Sequence, residues 1–466
     1  MIEGLTPYAE YKESGLLWVP RVPSHWGLIP NRAVLKKRKV LVGGNHKNFQ
    51  LLSLTKGGVI VRDISTGKGK FSSDMGTSQE VRKGDFVFCL FDVPETPRTV
   101  GLSTHAGMIT SAYTVFESRK IPPESVRYLE RFYIAMDDRK LLSPLYSGLR
   151  NTIPPPRFLG IKTPQPTPDE QAAIVRFLDH ANRKIDGFIR AKRKLIGLLN
   201  EQKQAIIHRA VTRGLDSDVA LEPSGIPWLG DIPEHWKISP LKRTLSRMDY
   251  GTSESSTAAG KFPVLTMGHI QGGRVLLPES GGIDQIPIGL ALENNDLLFN
   301  RTNSPELVGK VGIYEGGNEP QVTFASYLVR LRVKPAHNPQ WLNYLLNSFR
   351  FWAFARSQAL LSLHQANLNS SRYGRMNIPV PPRADQDSIV KTIKERTASI
   401  NTAIARTNRE IALMQEYRMR LTADIVTGKL DVREAAAKLP DLPVETTDEP
   451  FAAAEPLEEI ETEEIA

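Results

Sequence analysis

The feature that most limits what this chain can fold into is that it is written twice. Residues 14–26, Ser-Gly-Leu-Leu-Trp-Val-Pro-Arg-Val-Pro-Ser-His-Trp, return as residues 224–236, Ser-Gly-Ile-Pro-Trp-Leu-Gly-Asp-Ile-Pro-Glu-His-Trp. Six of the thirteen positions are identical at an offset of 210. A second anchor lies far downstream, where Pro164-x-Pro166 with Gln171 recurs as Pro379-x-Pro381 with Gln386. The units then end on Val211-Thr212-x-x-Leu215-Asp216 and Val426-Thr427-x-x-Leu430-Asp431. The offset has become 215, so the second middle holds five net extra residues, and the two middles share little. Repetition at this scale means duplicated architecture, so the 466 residues divide into two units and a remainder.

The shared end of each unit reads as a long helix. Ile174, Leu178, Ala181, Ile185, Phe188, Lys192, Leu195, Leu199, Gln202 and Ile206 keep an unbroken 4-3-4-3 spacing, and no Pro interrupts Pro168–Ala210. That is a coiled-coil seam. Thr167-Pro168-Asp169-Glu170 supplies its start: a hydroxyl cap, Pro at the first position and acids in the first turn. The second copy is less regular, with Ile389, Ile393, Ile400, Ile404, Ile411, Met414 and Leu421 interrupted by Thr397 and Thr407. The variable segments carry short β-type runs, Asp85–Leu90 and Asp296–Phe299, and helical stretches near 124–137 and 339–361. The aromatic stripe of the last (Trp341, Tyr344, Phe349, Phe351, Trp352, Phe354) is expected to be core. Two similar units tend to pack about a pseudo-two-fold axis, which predicts antiparallel pairing of the helices.

Charge divides unevenly. Ten of the 51 acids and none of the 60 Lys and Arg lie in 440–466, leaving residues 1–439 at +19. A basic body points to a polyanionic partner, and an acidic, Ala/Pro-rich tail cannot bury a core. One cysteine, Cys89, excludes a disulfide framework and a Cys-based zinc site, and no His pairs at helical metal-site spacing. The first residues lack the basic and apolar regions of a signal peptide, and no apolar run approaches 18 residues, so a cytoplasmic protein is expected.

Catalytic signatures are missing. No G-x-x-x-x-G-K-[ST] loop and no strand-linked G-x-G-x-x-G occurs, and Ile153-Pro154-Pro155-Pro156 lacks the Asn and aromatic of an amino-methyltransferase motif. Binding chemistry fits better. Asn300-Arg301-Thr302-Asn303-Ser304 leaves an apolar strand directly, and such side chains suit base edges and phosphates. Thr266, His269, Gln271 and Arg274 form a second polar set, and His364, Gln365 and Asn367 a third. In the first unit the corresponding candidates are Thr55, Lys56, Arg62, Thr96, Arg98, Thr99, Arg150 and Asn151. No metal ligand and no catalytic residue is assigned. The repeated His25-Trp26 and His235-Trp236 are read as packing anchors.

These residues together resemble the specificity subunit of type I restriction-modification systems. The resemblance rests on Tyr11-Lys12-x-Ser14-Gly15…Trp18…Pro23-x-His25-Trp26 and its echo at 224–236. Gly84-Asp85, Asn295-Asp296-Leu-Leu-Phe-Asn-Arg-Thr and the Pro-rich runs into Gln171 and Gln386 extend it over about residues 8–435. It implies an α+β chain: two globular mixed α/β target recognition domains joined by two long helices packed as an antiparallel coiled coil. The expected boundaries are 1–163, spacer helix 164–217, 218–378, spacer helix 379–435, and a disordered acidic tail over 436–466. It implies double-stranded DNA as ligand, read as a bipartite asymmetric site. Two modification subunits would supply S-adenosylmethionine and adenine-N6 methyl transfer, and two restriction subunits, with ATP and Mg²⁺, can join. This chain would bind no cofactor itself and catalyse nothing. One departure stands out: Cys89-Leu-Phe-Asp92 occupies the place of Asn300-Arg-Thr-Asn303. A coiled-coil adaptor without DNA readout, or a nuclease with an unrecognised metal site, are the competing classes.

Overall fold

The computed structural model describes residues 5–62, 75–316, 321–362 and 365–440. They form two compact units, Met1–Ala191 with Arg409–Ala466, and Lys192–Asn408. The division runs through both long helices, so neither helix is a separate domain as the sequence suggested.

Within each unit the two repeated anchors meet. Gly27–Pro30 pairs antiparallel with Lys162–Gln165, Gly27 opposite Gln165. Lys237–Pro240 pairs the same way with Asn377–Val380. The tryptophans preceding these strands are buried, Trp26 at 0% and Trp236 at 4% exposure. Beside them, His25 Nε2 lies 3.0 Å from Glu170 Oε2, and His235 Nε2 lies 2.8 Å from Asp385 Oδ2. Both acids sit in the first turn of a long helix, where the helix dipole favours negative charge. Gln171 Nε2 donates to the Pro166 carbonyl at 2.8 Å and Gln386 Nε2 to that of Pro381 at 2.9 Å, both glutamines buried. The repeated His-Trp, Pro-x-Pro and Gln are thus one frame, and its His-Trp is the packing anchor expected.

The first long helix spans Pro168–Arg213 and the second Arg383–Val426. Burial follows the expected seam at Ile174, Leu178, Ala181 and Ile185, then moves to Ile189, Ile207 and Ala210, while Leu195 is 40% exposed. A strict seven-residue repeat drifts by about 20° per heptad on a straight helix, so the buried stripe slips off the 4-3 pattern. In the second helix Thr397 and Thr407 do not break the seam. Both are buried, each hydroxyl donating at 2.8 Å to the carbonyl four residues back, Ile393 and Ala403. In the first unit Ile174, Leu178 and Ala181 share a core with Leu421, Ile425 and Val426, and Arg418 pairs with Asp186. In the second, Ile207, Ala210 and Val211 share one with Ile389, Val390 and Ile393, and Lys203 donates to Asn401 at 2.8 Å. In each unit, then, the start of one helix packs with the end of the other.

Each helix ends on a left-handed glycine, Gly214 (φ +74°) and Gly428 (φ +80°). A Cβ on Gly428 would stand 2.4 Å from Pro23 and 3.1 Å from Trp26, so the close approach of the frame to the helix end admits only glycine.

On this frame ride the dissimilar bodies. The first holds a four-stranded sheet in the order Leu35–Arg38, Thr114–Ser118, Phe86–Phe88, Val100–Leu102, with the helix Pro123–Asp138 against it. The second holds a six-stranded sheet in the order Leu245–Tyr250, Leu328–Val333, Leu297–Asn300, Val311–Ile313, Arg274–Val275, Ile270–Gln271. The stretch expected to be helical over 339–361 is two helices, Pro339–Leu346 and Phe349–Ser357, followed by the strand Leu360–Ser362. Trp341 and Phe351 are core, whereas Phe349 is exposed.

The expected tail begins too early. Arg433–Ala437 is a short helix with Ala436 buried, and Leu439 packs against the first core. The remainder, 441–466, lies outside the described residues.

Candidate nucleic-acid interface

Both bodies are organised around one turn. Gly84 (φ +90°) and Asn295 (φ +71°) precede the buried Asp85 and Asp296. The Asp85 carboxylate accepts from Arg82 N–H at 2.7 Å, and that of Asp296 from Glu293 N–H at 2.8 Å. Each carboxylate also holds a guanidinium. Arg38 reaches Asp85, and Arg332 binds Asp296 through two bonds of 2.8 and 2.7 Å. A buried carboxylate needs such partners, and they fix where the next strand and its loop emerge.

In the second unit that loop contains the expected polar run. Asn300 closes the strand but is 1% exposed, and its side-chain amide has no hydrogen-bond partner, so it faces the interior rather than the surface. Arg301 is half-buried, its guanidinium 5.0 Å above the Tyr250 ring and its Nη1 3.4 Å from the Ser326 carbonyl. Thr302 and Asn303 form a strand opposite Asn367 and Ala366, and Asn367 Nδ2 donates to Thr302 Oγ1 at 2.9 Å. The first and third polar sets, which the sequence kept apart, are therefore one surface: Arg301, Thr302, Asn303, Ser304, Gln365 and Asn367. His364 lies outside the described residues.

The other set of this unit does not join them. Arg274 pairs with Ile313, which pairs with Leu297, the opposite end of the strand from Asn300. Thr266 and His269 form a capping box, Thr266 N–H donating to His269 Nδ1 at 2.8 Å, and burial lowers the imidazole pKa. Those two side chains are engaged in closing a turn. Gln271 donates to the Gly268 carbonyl at 3.2 Å, and Arg274 is exposed, 3.9 Å from Glu315.

In the first unit Arg98 pairs with Asp137 (3.2 Å) and Asp138 (2.8 Å), and the buried Thr99 N–H donates to Asp137 at 2.9 Å. These tie a loop to the helix Pro123–Asp138, which leaves little for a ligand. The surface set is different. Arg150 binds Asp92 with Nε 3.1 Å from Oδ2 and lies 5.1 Å from the Phe91 ring centre. Thr96 Oγ1 donates to the Asp92 carbonyl at 2.8 Å, and Asn151 sits in a left-handed turn (φ +43°). Pairing with Arg150 holds the Asp92 carboxyl below the usual range. Thr55 closes the hairpin Leu52–Val61 by donating to the Gly58 carbonyl at 3.1 Å, with Lys56 exposed at its tip and Arg62 just beyond it.

The residues that sequence reasoning missed lie beside Asn367. Gln358, Leu360, Asn369, Ser371, Arg372 and Arg375 join it in lining an open groove of about 360 Å³. Asn369 caps the short helix Ser370–Gly374 by accepting from Arg372 N–H at 3.1 Å. A cap residue followed by two arginines three apart was the available signal.

No protein-family model matches the chain. It is 22% identical over 461 residues to the type I restriction enzyme StySPI specificity subunit of Salmonella potsdam, covering 91% of this chain and 96% of that one. It is 26% identical over 204 residues to a type I restriction enzyme specificity subunit assigned in Methanocaldococcus jannaschii (MjaX), 43% of this chain and about half (47%) of that relative. The chain is thus similar over most of its length to type I restriction enzyme specificity subunits. A solved chain from work on complex assembly and conformational transition of the type I R-M system has the same fold, with a TM-score of 0.54 at 13% identity over 87% of this chain and 98% of that one. The repeat of this chain is the frame described above, and the loops that differ between its two copies are the candidate interface. Among the described residues no group of three or more His, Cys, Asp and Glu side chains converges as a metal site, and no helix is long and apolar enough to cross a membrane.

Proposed function

We propose that this chain is the DNA-reading subunit of a type I restriction-modification complex, each unit reading one half of a bipartite, asymmetric duplex site. The observation that carries this is one frame built twice beneath two different polar loops, Arg301–Ser304 with Gln365 and Asn367 in one unit, Asp92, Thr96 and Arg150 in the other. Unlike loops read unlike bases, so a symmetric scaffold yields a site without two-fold symmetry. The long helices act as an antiparallel coiled-coil spacer that sets the gap between half-sites. Methyl transfer to adenine N6 comes from modification subunits carrying S-adenosylmethionine, and cleavage from restriction subunits using ATP and Mg²⁺. The body charge of +19 over residues 1–439 supports a polyanionic ligand.

Mapping methyladenine at base resolution in cells that express the chain with its modification partner tests this. Two unlike half-sites with a fixed gap are expected. Inserting seven residues in both helices, after Ala191 and after Asn408, should lengthen the gap by about 3 base pairs at 1.5 Å of rise per residue, with both half-sites unchanged. A changed half-site, or an unchanged gap, defeats the spacer. A palindromic or absent methylation pattern defeats the reading as a whole.

A further inference from the structure

The groove beside Asn367 has an apolar edge that the reading above does not use. Leu360–Ser362 pairs antiparallel with Gln365–Asn367, Leu360 opposite Asn367 and Leu361 opposite Ala366, and it is the outer strand of its three-stranded sheet. The hairpin's inner strand is anchored, because Ala366 and Leu368 are fully buried in the second core. Its outer strand is not: Leu360 is 64% and Leu361 74% exposed, consecutive on an open sheet edge. Sheet edges in soluble proteins ordinarily carry charge or Pro, so two adjacent exposed leucines call for an occupant.

Charge says which. Among the described residues no acid lines the groove that Leu360 borders; Arg372 and Arg375 are exposed there, and no described carboxylate pairs with either. Among the described residues the Arg372 guanidinium donates to the Gln358 carbonyl alone, at 2.9 Å, which leaves most of its fork available. Gln358, Asn367, Asn369 and Ser371 add neutral hydrogen-bonding groups. A protein partner's apolar face would bury two unpaired arginines, whereas a phosphate strand neutralises them. We propose that Leu360 and Leu361 form a wedge that enters duplex DNA between stacked base pairs while Arg372 and Arg375 hold a phosphate strand in the adjoining groove. This rests on the DNA-reading role proposed above. Wedges of this kind unstack one step and kink the duplex, which lets a small domain bring more of its polar surface onto the bases.

The test uses the full chain with its modification subunit and a duplex enriched from a random 40-base-pair pool. On the bound duplex, end-to-end energy transfer should report a bend of about 20–90°, and thymines at one step should become reactive to permanganate. L360S/L361S should bind the intact duplex about 10-fold more weakly without that reactivity, yet recover to within about twofold when a mismatch bubble already opens the step. L360M/L361M should behave as the parent. A bound duplex that stays straight and unreactive overturns the wedge while leaving DNA reading intact. So does equal loss of binding on intact and bubbled DNA. A variant that binds DNA normally but loses its modification subunit makes the leucines a protein contact and overturns the wedge as well. If the parent complex enriches no duplex at all, the DNA-reading role falls and the wedge with it.

Discussion

On the proposed DNA-reading role, replacing Arg301 should separate reading from folding, because the structure gives the side chain little to do for stability. Its guanidinium stacks on Tyr250 at 5.0 Å and makes one long contact, 3.4 Å, to the Ser326 carbonyl. Such a half-exposed cation–π contact contributes about 0.5–1 kcal/mol. For a unit the size of Lys192–Asn408, that corresponds to about 1–4 °C in Tm. A bidentate contact to guanine, by contrast, discriminates by about 1–3 kcal/mol, or about 5- to 150-fold. Arg301→Ala should therefore leave assembly with the modification subunit unchanged and lower Tm by only a few degrees. Methylation should fall by that factor, with relaxed preference at one or two positions of a single half-site. Arg301→Lys should restore charge but not the paired geometry, recovering affinity better than discrimination. Base-resolution methylation mapping, with parallel thermal unfolding, gives both readouts. Undiminished methylation by Arg301→Ala would remove the residue from the interface. Equal loss of preference in both half-sites would refute the assignment of one unit to one half.

Two further outcomes follow from the frame and its surroundings. Gln386 donates to the Pro381 carbonyl and its Oε1 accepts from Asn338 N–H at 2.7 Å, whereas Gln171 Oε1 is buried without a partner. Gln386→Ala should therefore destabilise its unit by about 1–3 kcal/mol and Gln171→Ala by less, as read from denaturant midpoints; the reverse order would contradict the contacts. His208 is pushed down to about 4 by burial and by the nearby Arg350 and Arg213, so the unfolded chain binds this proton more readily. Stability is full above about pH 6.5 and falls as pH drops toward 4, by at most about 1.4 kcal/mol per pH unit from this group. Thermal midpoints of His208→Gln should show a shallower acid decline than those of the parent, and parallel curves would exclude the imidazole as a cause.

What the sequence made legible was the part of the chain that had to stay the same. His25-Trp26, Pro164-x-Pro166 and Gln171 were visible as repeats, and the structure shows them joined in one buried frame. Their meaning needed three dimensions, since nothing in a spacing says that Gly27 lies opposite Gln165. The helices were legible too, but the seam was extrapolated as a strict heptad, and a straight helix moved it from Phe188 toward Ile189. The interface was the least legible. Residue type flagged Asn300, Arg98, Thr99 and His269 as readily as Arg301 and Asn367, and only burial and partners separate those that serve the fold from those that face outward. A polar side chain after a strand satisfies either purpose, so composition alone could not choose.

The first unit is assembled from residues far apart in the chain. Asp431 N–H donates to the Thr6 carbonyl at 2.8 Å, Tyr11 Oη donates to the Lys429 carbonyl at 3.2 Å, and Tyr128 Oη lies 3.1 Å from the carbonyls of both Pro164 and Val426. The second unit, Lys192–Asn408, is a single continuous stretch. During synthesis the unit begun first is therefore the one completed last: its early strands must wait for residues beyond Arg409, while the later unit can close as soon as its own sequence has emerged. A ribosome that stalls near residue 410 would release a chain with a finished second unit and an open first one, its core residues Ile174, Leu178 and Ala181 uncovered. Completion of the first unit thus depends on residues beyond Arg409, and that unit stays open during synthesis for longer than one built from a single continuous stretch.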